Sequence, residues 1–169
     1  NDSDHIKPYR IRFMDEAGVI RDWDCIESTN KILVILHAVD KECVVLCKKF
    51  CPPVFISMVA TQGSTPMDFS SVDQRDAITY DLLNFEKVDY STPPVMDVIN
   101  VVKRDCFYDV PGCFVTRVTS TREGCGIQAN SLDYYYVEVT DEMKEHSHQE
   151  SKCYELPIKN IQHFLYDSG

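Results

Sequence analysis

The sequence predicts an α/β fold in which a mixed β-sheet is sandwiched between helices. Three patterns lead there. β-rich runs fill the first fifty residues and return after residue 112. One amphipathic helical stripe lies between the two sets, and a second follows Pro157. The order β, helix, β, helix leaves room for few parallel crossovers. A chain of 169 residues is long enough for one domain with a real core and short for two, so residues 1–169 are expected to form a single domain.

Ile6 to Glu16 reads as a strand, Ala17-Gly18 as a turn and Val19 to Glu27 as the returning strand. Lys31 to Val39 and Cys43 to Phe50 form a hairpin pattern around Asp40-Lys41-Glu42. Cys51-Pro52-Pro53 ends it, because proline cannot continue a central ladder. Thr61 to Asp76 has loop composition, and Ala77 to Glu86 reads as one strand. The central helix opens with Thr92 as candidate N-cap and Pro93 in the first turn. Val95, Val98, Ile99 and Val102 follow the i, i+3, i+4, i+7 rule. Asp97, Asn100, Lys103 and Arg104 fall opposite, and the two cations complement the helix dipole. Phe107 to Gly112 closes the helix. Cys113 to Thr121, Asp133 to Thr140 and Cys153 to Leu156 read as strands, with Asp141 to Lys152 a charged loop. Pro157 starts the last helix, its apolar face being Ile158, Ile161, Phe164 and Leu165.

The formal charge of −10 and pI near 4.8 argue against nucleic acid, which is held by clustered Lys and Arg. No run of 18 apolar residues exists to cross a membrane. No basic start with an apolar core is visible at the N-terminus. Eight cysteines, several inside apolar strand patterns, are expected to be reduced, buried side chains of a cytosolic or nuclear protein.

Several segments, in this order, resemble the Nudix hydrolases, in the branch that cleaves ADP-ribose and UDP-glucose. They are Arg21-Asp22-Trp23-Asp24, Ile32 to Leu36, and Val44-Val45-Leu46-Cys47-Lys48-Lys49-Phe50-Cys51-Pro52, which is similar to the family's "VLVKQFRP". Arg117 to Gly126, Asp133 to Val139 and Glu155-Leu156-Pro157 complete the set. The resemblance implies a Nudix fold and a homodimer joined through its N-terminal strands. It also implies a strand–loop–helix box, GX5EX7REUXEEXGU, whose glutamates hold magnesium for pyrophosphate cleavage. The box-equivalent region is 84–107. With the apolar stripe inward, Asn84 takes the opening glycine position and Asn100 the first helix glutamate. Lys103 and Arg104 take the Glu-Glu pair and Cys106 the closing glycine. A register one residue later would place Arg104 and Asp105 at the pair, but is expected to turn the stripe outward. Cys51 stands where relatives carry an arginine in the "FRP" turn.

The expectation is therefore a catalytically inactive Nudix-like domain, acting by protein–protein contact or by weak nucleotide-sugar binding, with no cofactor. The alternative is a divergent metal-dependent pyrophosphatase that recruits Asp97, Asp105, Glu145 or Glu150 to hold magnesium. Trp23 is a candidate for base stacking, or else a dimer or core anchor. Lys48, Lys49, Arg122 and Glu123 are candidates for the remaining cleft. Cys43, Cys47 and Cys51 lie four apart, but about 13 Å separates the first two along an extended strand, too far for a shared metal. His146, His148, Cys153 and His163 are zinc-ligand types without a second tight pair, and a solvated loop is expected. Gly124-Cys125-Gly126 is too short for a phosphate loop. A redox-sensitive adaptor working through its thiols is a third reading.

Overall fold

A computed structural model of the chain describes residues 7–61, 70, 72–87, 91–124, 126–145 and 152–166. The strands are β1 (Lys7–Met14), β2 (Ile20–Glu27), β3 (Lys31–Ala38), β4 (Cys43–Phe50), β5 (Ile78–Asp81), β6 (Leu83–Glu86), β7 (Val115–Arg122), β8 (Ser131–Val139) and β9 (Cys153–Pro157). The helices are α1 (Pro52–Thr61), α2 (Pro94–Cys106) and α3 (Ile161–Tyr166). The expected mixed α/β architecture, a mixed sheet flanked by helices, is observed.

The main sheet runs β5-β4-β3-β8-β7, with β6 also paired to β3 and β9 to β4. Its centre is the parallel pair β3–β8, in register from Lys31 opposite Leu132 to Ala38 opposite Val139. Among the described strands all other pairs are antiparallel, so few crossovers are needed. Strict alternation sets the faces of β3: Ile32, Val34, Leu36 and Ala38 are buried while their odd-numbered neighbours are half-buried. The buried face of β3 joins Tyr135, Val137 and Val139 of β8 and Val98, Val101, Val102 and Cys106 of α2 in one core. On the opposite face Leu33, Ile35, Val44 and Leu46 line a cavity of about 440 Å³ together with Ile161, Phe164 and Leu165 of the last helix.

Four local expectations are corrected. Cys51-Pro52-Pro53 does not only stop a strand; Pro52 opens α1, and Phe55 and Val59, four apart, bury its inner side against Val72 and Ala77. Proline suits a first helical turn because its missing N–H has no partner there. The run from Ala77 to Glu86 breaks at Leu82, since β5 pairs with β4 and β6 with β3. The N-cap of α2 is Pro93, with Pro94 in the first turn and no side-chain cap bond, one residue later than Thr92. The buried stripe of α2 is Val98, Val101, Val102 and Cys106, with Val95 and Ile99 only half-buried.

β1 and β2 form a separate two-stranded ribbon. Arg10–Asp24 and Arg12–Asp22 ion pairs lie across one set of positions. The alternate set carries Tyr9, Ile11, Phe13 and Trp23, all exposed. The ribbon touches the rest of the chain where Ile26 N–H donates to the Ile127 carbonyl (2.8 Å) and the Trp23 indole N–H to the Gly126 carbonyl (2.8 Å).

Leu36 has no exposed surface and sits at the centre of the β3–β8–α2 contact. Leu36→Ala is expected to lower stability by about 2–5 kcal/mol, the lost transfer term plus a cavity. Urea unfolding of both proteins checks this; a loss below about 1 kcal/mol would contradict the packing described.

Candidate functional site: a cationic cleft beside the C-terminal end of α2

β4, β6 and the last turn of α2 border an open cleft of about 340 Å³, lined by Lys48, Lys49, Asn84, Arg104, Asp105, Phe107 and Lys152 among others. Each residue arrives there for a local reason. Lys48 and Lys49 follow the buried half of β4, where the strand runs out beyond the core and its side chains become exposed. Asn84 lies on β6, opposite Leu33, and its amide donates to the Leu82 carbonyl (3.0 Å). Arg104 and Asp105 flank the buried Cys106 on the outer side of α2.

Phe107 ends α2 in the left-handed region at φ 62, and its N–H donates to the Lys103 carbonyl (3.1 Å). Glycine normally holds such a position, because a Cβ is strained there. Phe107 therefore holds the left-handed turn that closes α2, while Cys106 before it is helical and 1% exposed. The buried stripe of α2 differs from the one the sequence predicts. It is rotated toward Val101 and Cys106, away from Val95 and Ile99.

The carboxylates near the helix are all in ion pairs. Asp105 takes two bonds from the Arg104 guanidinium, at 2.6 and 2.8 Å. Glu145 pairs with Lys103 (2.9 Å), which also meets Asp109 (3.0 Å). These bonds, Glu145 foremost, raise the Lys103 pKa above its ordinary value. Asp97 is held by the buried Lys87 ammonium, which also donates to the Thr92 carbonyl at 2.8 Å. Lys49 pairs with Asp81 (2.9 Å). Lys48 and Lys152 form no ion pair among the described residues. The cleft therefore presents Lys48, Lys49, Arg104 and Lys152 against Asp105.

The other sequence candidates stand elsewhere. Asn100 and Lys103 are on the exposed side of α2 and do not border the cleft. Arg122 and Glu123 are outside it too, because β7 pairs with β8 and carries its end toward Asn30 and Lys31. Arg122 donates to the Ala129 carbonyl (3.0 Å), and Glu123 accepts from Asn130 (3.0 Å) and Lys31 (3.1 Å), which hold its carboxyl below the usual range. Trp23 is 49% exposed on the ribbon. His146, His148, Glu150 and Cys125 lie outside the described residues. Lys152 went unnoticed because its place depends on β9 pairing with β4: Lys48 N–H donates to the Lys152 carbonyl at 2.7 Å.

The seven described cysteines are free thiols, which is compatible with a reduced protein. Cys43 and Cys51 do not join Cys47. Instead, the sulfurs of Cys47, Cys106 and Cys153 lie within 4.8 Å of one another. Cys153 meets two cysteines there; His146 and His148, with which the sequence grouped it, lie outside the described residues. A hydrogen bond from Cys106 lowers the Cys47 pKa, but that to Cys153 and burial outweigh it, pushing the thiol up to about 11. Hydrogen bonds to Cys153 and Cys47, with burial, raise that of Cys106.

The fold is Nudix-like. A solved structure titled "Crystal structure of ADP compounds hydrolase" superposes with a TM-score of 0.66 at 8% identity, over 98% of this chain and 77% of that one. In sequence, the chain is 22% identical over 149 residues to a protein of Bos taurus named uridine diphosphate glucose pyrophosphatase NUDT14, covering 82% of this chain and 67% of the relative. No family model matches the chain.

Only the thiolate attacks an alkylating agent, so the thiol environments predict an order of labelling. In the native protein near neutral pH, exposed Cys113 is expected to react with iodoacetamide well before Cys43 and Cys106. Cys47 should speed up about tenfold per pH unit until its raised pKa is approached. Peptide mass spectrometry reads each site, and Cys106 reacting as fast as Cys113 would contradict the packing.

Proposed function

We propose that the cleft binds the pyrophosphate of a nucleoside diphosphate sugar through lysine and arginine side chains, without metal, and does not hydrolyse it. The observation that carries this reading is the inverted charge of the cleft: four cations and one carboxylate in a chain of net charge −10. With Phe107 as the closing position, the box register places Arg104 and Asp105 at the Glu-Glu pair and buried Val101 at the first glutamate. Val102 and Tyr108 then occupy the two apolar positions, and both are fully buried, as the motif requires. The four glutamates of the box then correspond to Thr92, Val101, Arg104 and Asp105; one acid survives, and Arg104 already occupies it.

Magnesium needs several hard oxygen ligands, usually carboxylates and phosphates. The described residues of the cleft do not supply them. Two unit charges 4 Å apart interact by about 4 kcal/mol at an effective dielectric near 20; an arginine in place of a glutamate turns that attraction for a cation into repulsion. The same substitution favours a phosphate oxygen, which lysine and arginine bind by charge-assisted hydrogen bonds. The competing reading, hydrolysis with recruited acids, requires Asp97, Asp105, Glu145 and Glu150 to gather. Asp97 is engaged by Lys87, Glu145 by Lys103, and Glu150 lies outside the described residues. The substrate class rests on the likeness to the UDP-glucose pyrophosphatase and the ADP-compound hydrolase. We place the protein, as one domain, in a reducing compartment, cytosol or nucleus.

A second copy of the chain is the partner we propose for the β1–β2 ribbon. Two strands alone are marginally stable in water, and Tyr9, Ile11, Phe13 and Trp23 offer an apolar face that the described residues leave exposed. Ile11→Asp is expected to shift sedimentation from dimer to monomer while leaving the circular dichroism of the main sheet in place. A wild-type chain that sediments as a monomer at all concentrations would overturn the dimer.

Calorimetric titration with UDP-glucose and ADP-ribose in the presence of a chelator tests the cleft. Binding is expected without metal and should weaken as salt rises. Lys48→Ala and Lys152→Ala should each weaken it about 10- to 100-fold, as for loss of a charged hydrogen bond. Binding that appears only when magnesium is added would contradict the reading.

A further inference from the structure

The pyrophosphate cleft leaves one cluster of reactive side chains unexplained. Cys47 comes from β4, Cys153 lies directly opposite it on β9, and Cys106 is the last residue of α2. Three separate elements thus deliver three sulfurs to one point, all within 4.8 Å of one another. Among the described residues this is the one group of three or more His, Cys, Asp or Glu side chains close enough to share an ion.

From this geometry we propose that Cys47, Cys106 and Cys153 form a binding site for a soft, thiophilic metal cation, of the class of Zn²⁺ or Cu⁺. A metal bonded to three thiolates at about 2.3 Å keeps the sulfurs roughly 3.8–4.0 Å apart. The observed spacing therefore needs only small side-chain rotations to close on the ion. The donors stand on two paired strands and a packed helix, so the site is held by the core rather than by a loop. Thiolate sulfur selects Cu⁺ and Zn²⁺ over hard cations such as magnesium, which separates this site chemically from the one the fold's relatives use.

Access and charge also fit. Cys47 borders the cationic cleft, while Cys106 and Cys153 border a neighbouring cavity of about 230 Å³ with Tyr108, Lys144 and Glu155. An ion can enter from either side. Binding replaces three S–H bonds by three metal–sulfur bonds and releases three protons to solvent, with no change of oxidation state. The resulting complex carries a charge of −1 with Zn²⁺ or −2 with Cu⁺; Lys48 and Lys152 at the cleft offset it, while Lys144 in the second cavity is paired with Glu155 (3.1 Å). Zn²⁺ takes four ligands, so its fourth would be water. The Tyr108 hydroxyl, buried and without a hydrogen-bond partner among the described residues, lines the cavity from which that water would come.

The test uses the full chain, reduced and stripped of metal, under anaerobic conditions. Cd²⁺ and Co²⁺, as stand-ins for zinc, and Cu⁺ are titrated in separate arms while thiolate-to-metal charge-transfer absorption is followed. One equivalent is expected to bind in at least one arm, and the arm that binds tighter identifies the cation. The affinity should fall at least tenfold in Cys47→Ser and in Cys153→Ser, both at half-exposed positions, and stay unchanged in Cys25→Ser and Cys113→Ser. Circular dichroism confirms that each variant is folded, so a lost band is not a lost fold. Absence of a charge-transfer band at one equivalent in every arm would overturn the proposal. So would binding that survives unchanged in both Cys47→Ser and Cys153→Ser.

Discussion

Val98, Val101, Val102 and Cys106 lock one stripe of α2 onto the buried faces of β3 and β8. That contact fixes the rotation of the helix about its axis, and the rotation decides which side chains reach the cleft. Arg104 and Asp105, one turn after the Val101–Val102 pair, are brought to the edge where β4 and β6 open. Cys106 is driven inward beside β4 and β9. A turn of the helix by one residue, about 100°, would exchange these roles, so the cleft and the thiol cluster depend on the same hydrophobic contact.

The chemistry follows from charge at a retained shape. In the function proposed above, α2 and the strand before it stand where the relatives' box would, and the left-handed residue closing the helix is a phenylalanine at φ 62. On that proposal the acids of the box are replaced by neutral or positive groups or neutralised by adjacent cations. Electrostatics would then reverse the preference of the proposed site, from divalent metal and phosphate together to phosphate alone. Fold resemblance does not fix activity; here the side chains of the cleft argue for the difference.

Much of this was legible in the sequence, for identifiable reasons. The alternation of β3 and the 3.6-residue period of α2 are direct records of what each face touches. The end and the buried stripe of α2 were less legible, because a left-handed Phe107 gives no glycine or asparagine signal, and buried Val101 and Cys106 look no different in sequence from half-buried Val95 and Ile99. α1 was hidden by Pro52-Pro53, which mark a strand end and a helix start equally well; the Phe55–Val59 spacing was the available clue. The cluster of Cys47, Cys106 and Cys153 was beyond reach. Sequence spacing compares neighbours on one strand, and these three meet only through the β4–β9 register and the seating of α2.

The central claim is that the cleft has kept phosphate binding and lost metal-assisted cleavage. A single-turnover assay, with the protein in excess over labelled UDP-glucose or ADP-ribose and with magnesium or manganese present, tests it most directly. The account predicts that the nucleotide sugar stays intact at every metal concentration while remaining bound. Metal-dependent release of nucleoside monophosphate, abolished by Asp105→Asn or Glu145→Gln, would contradict it and would mean that the remaining acids still assemble a magnesium site.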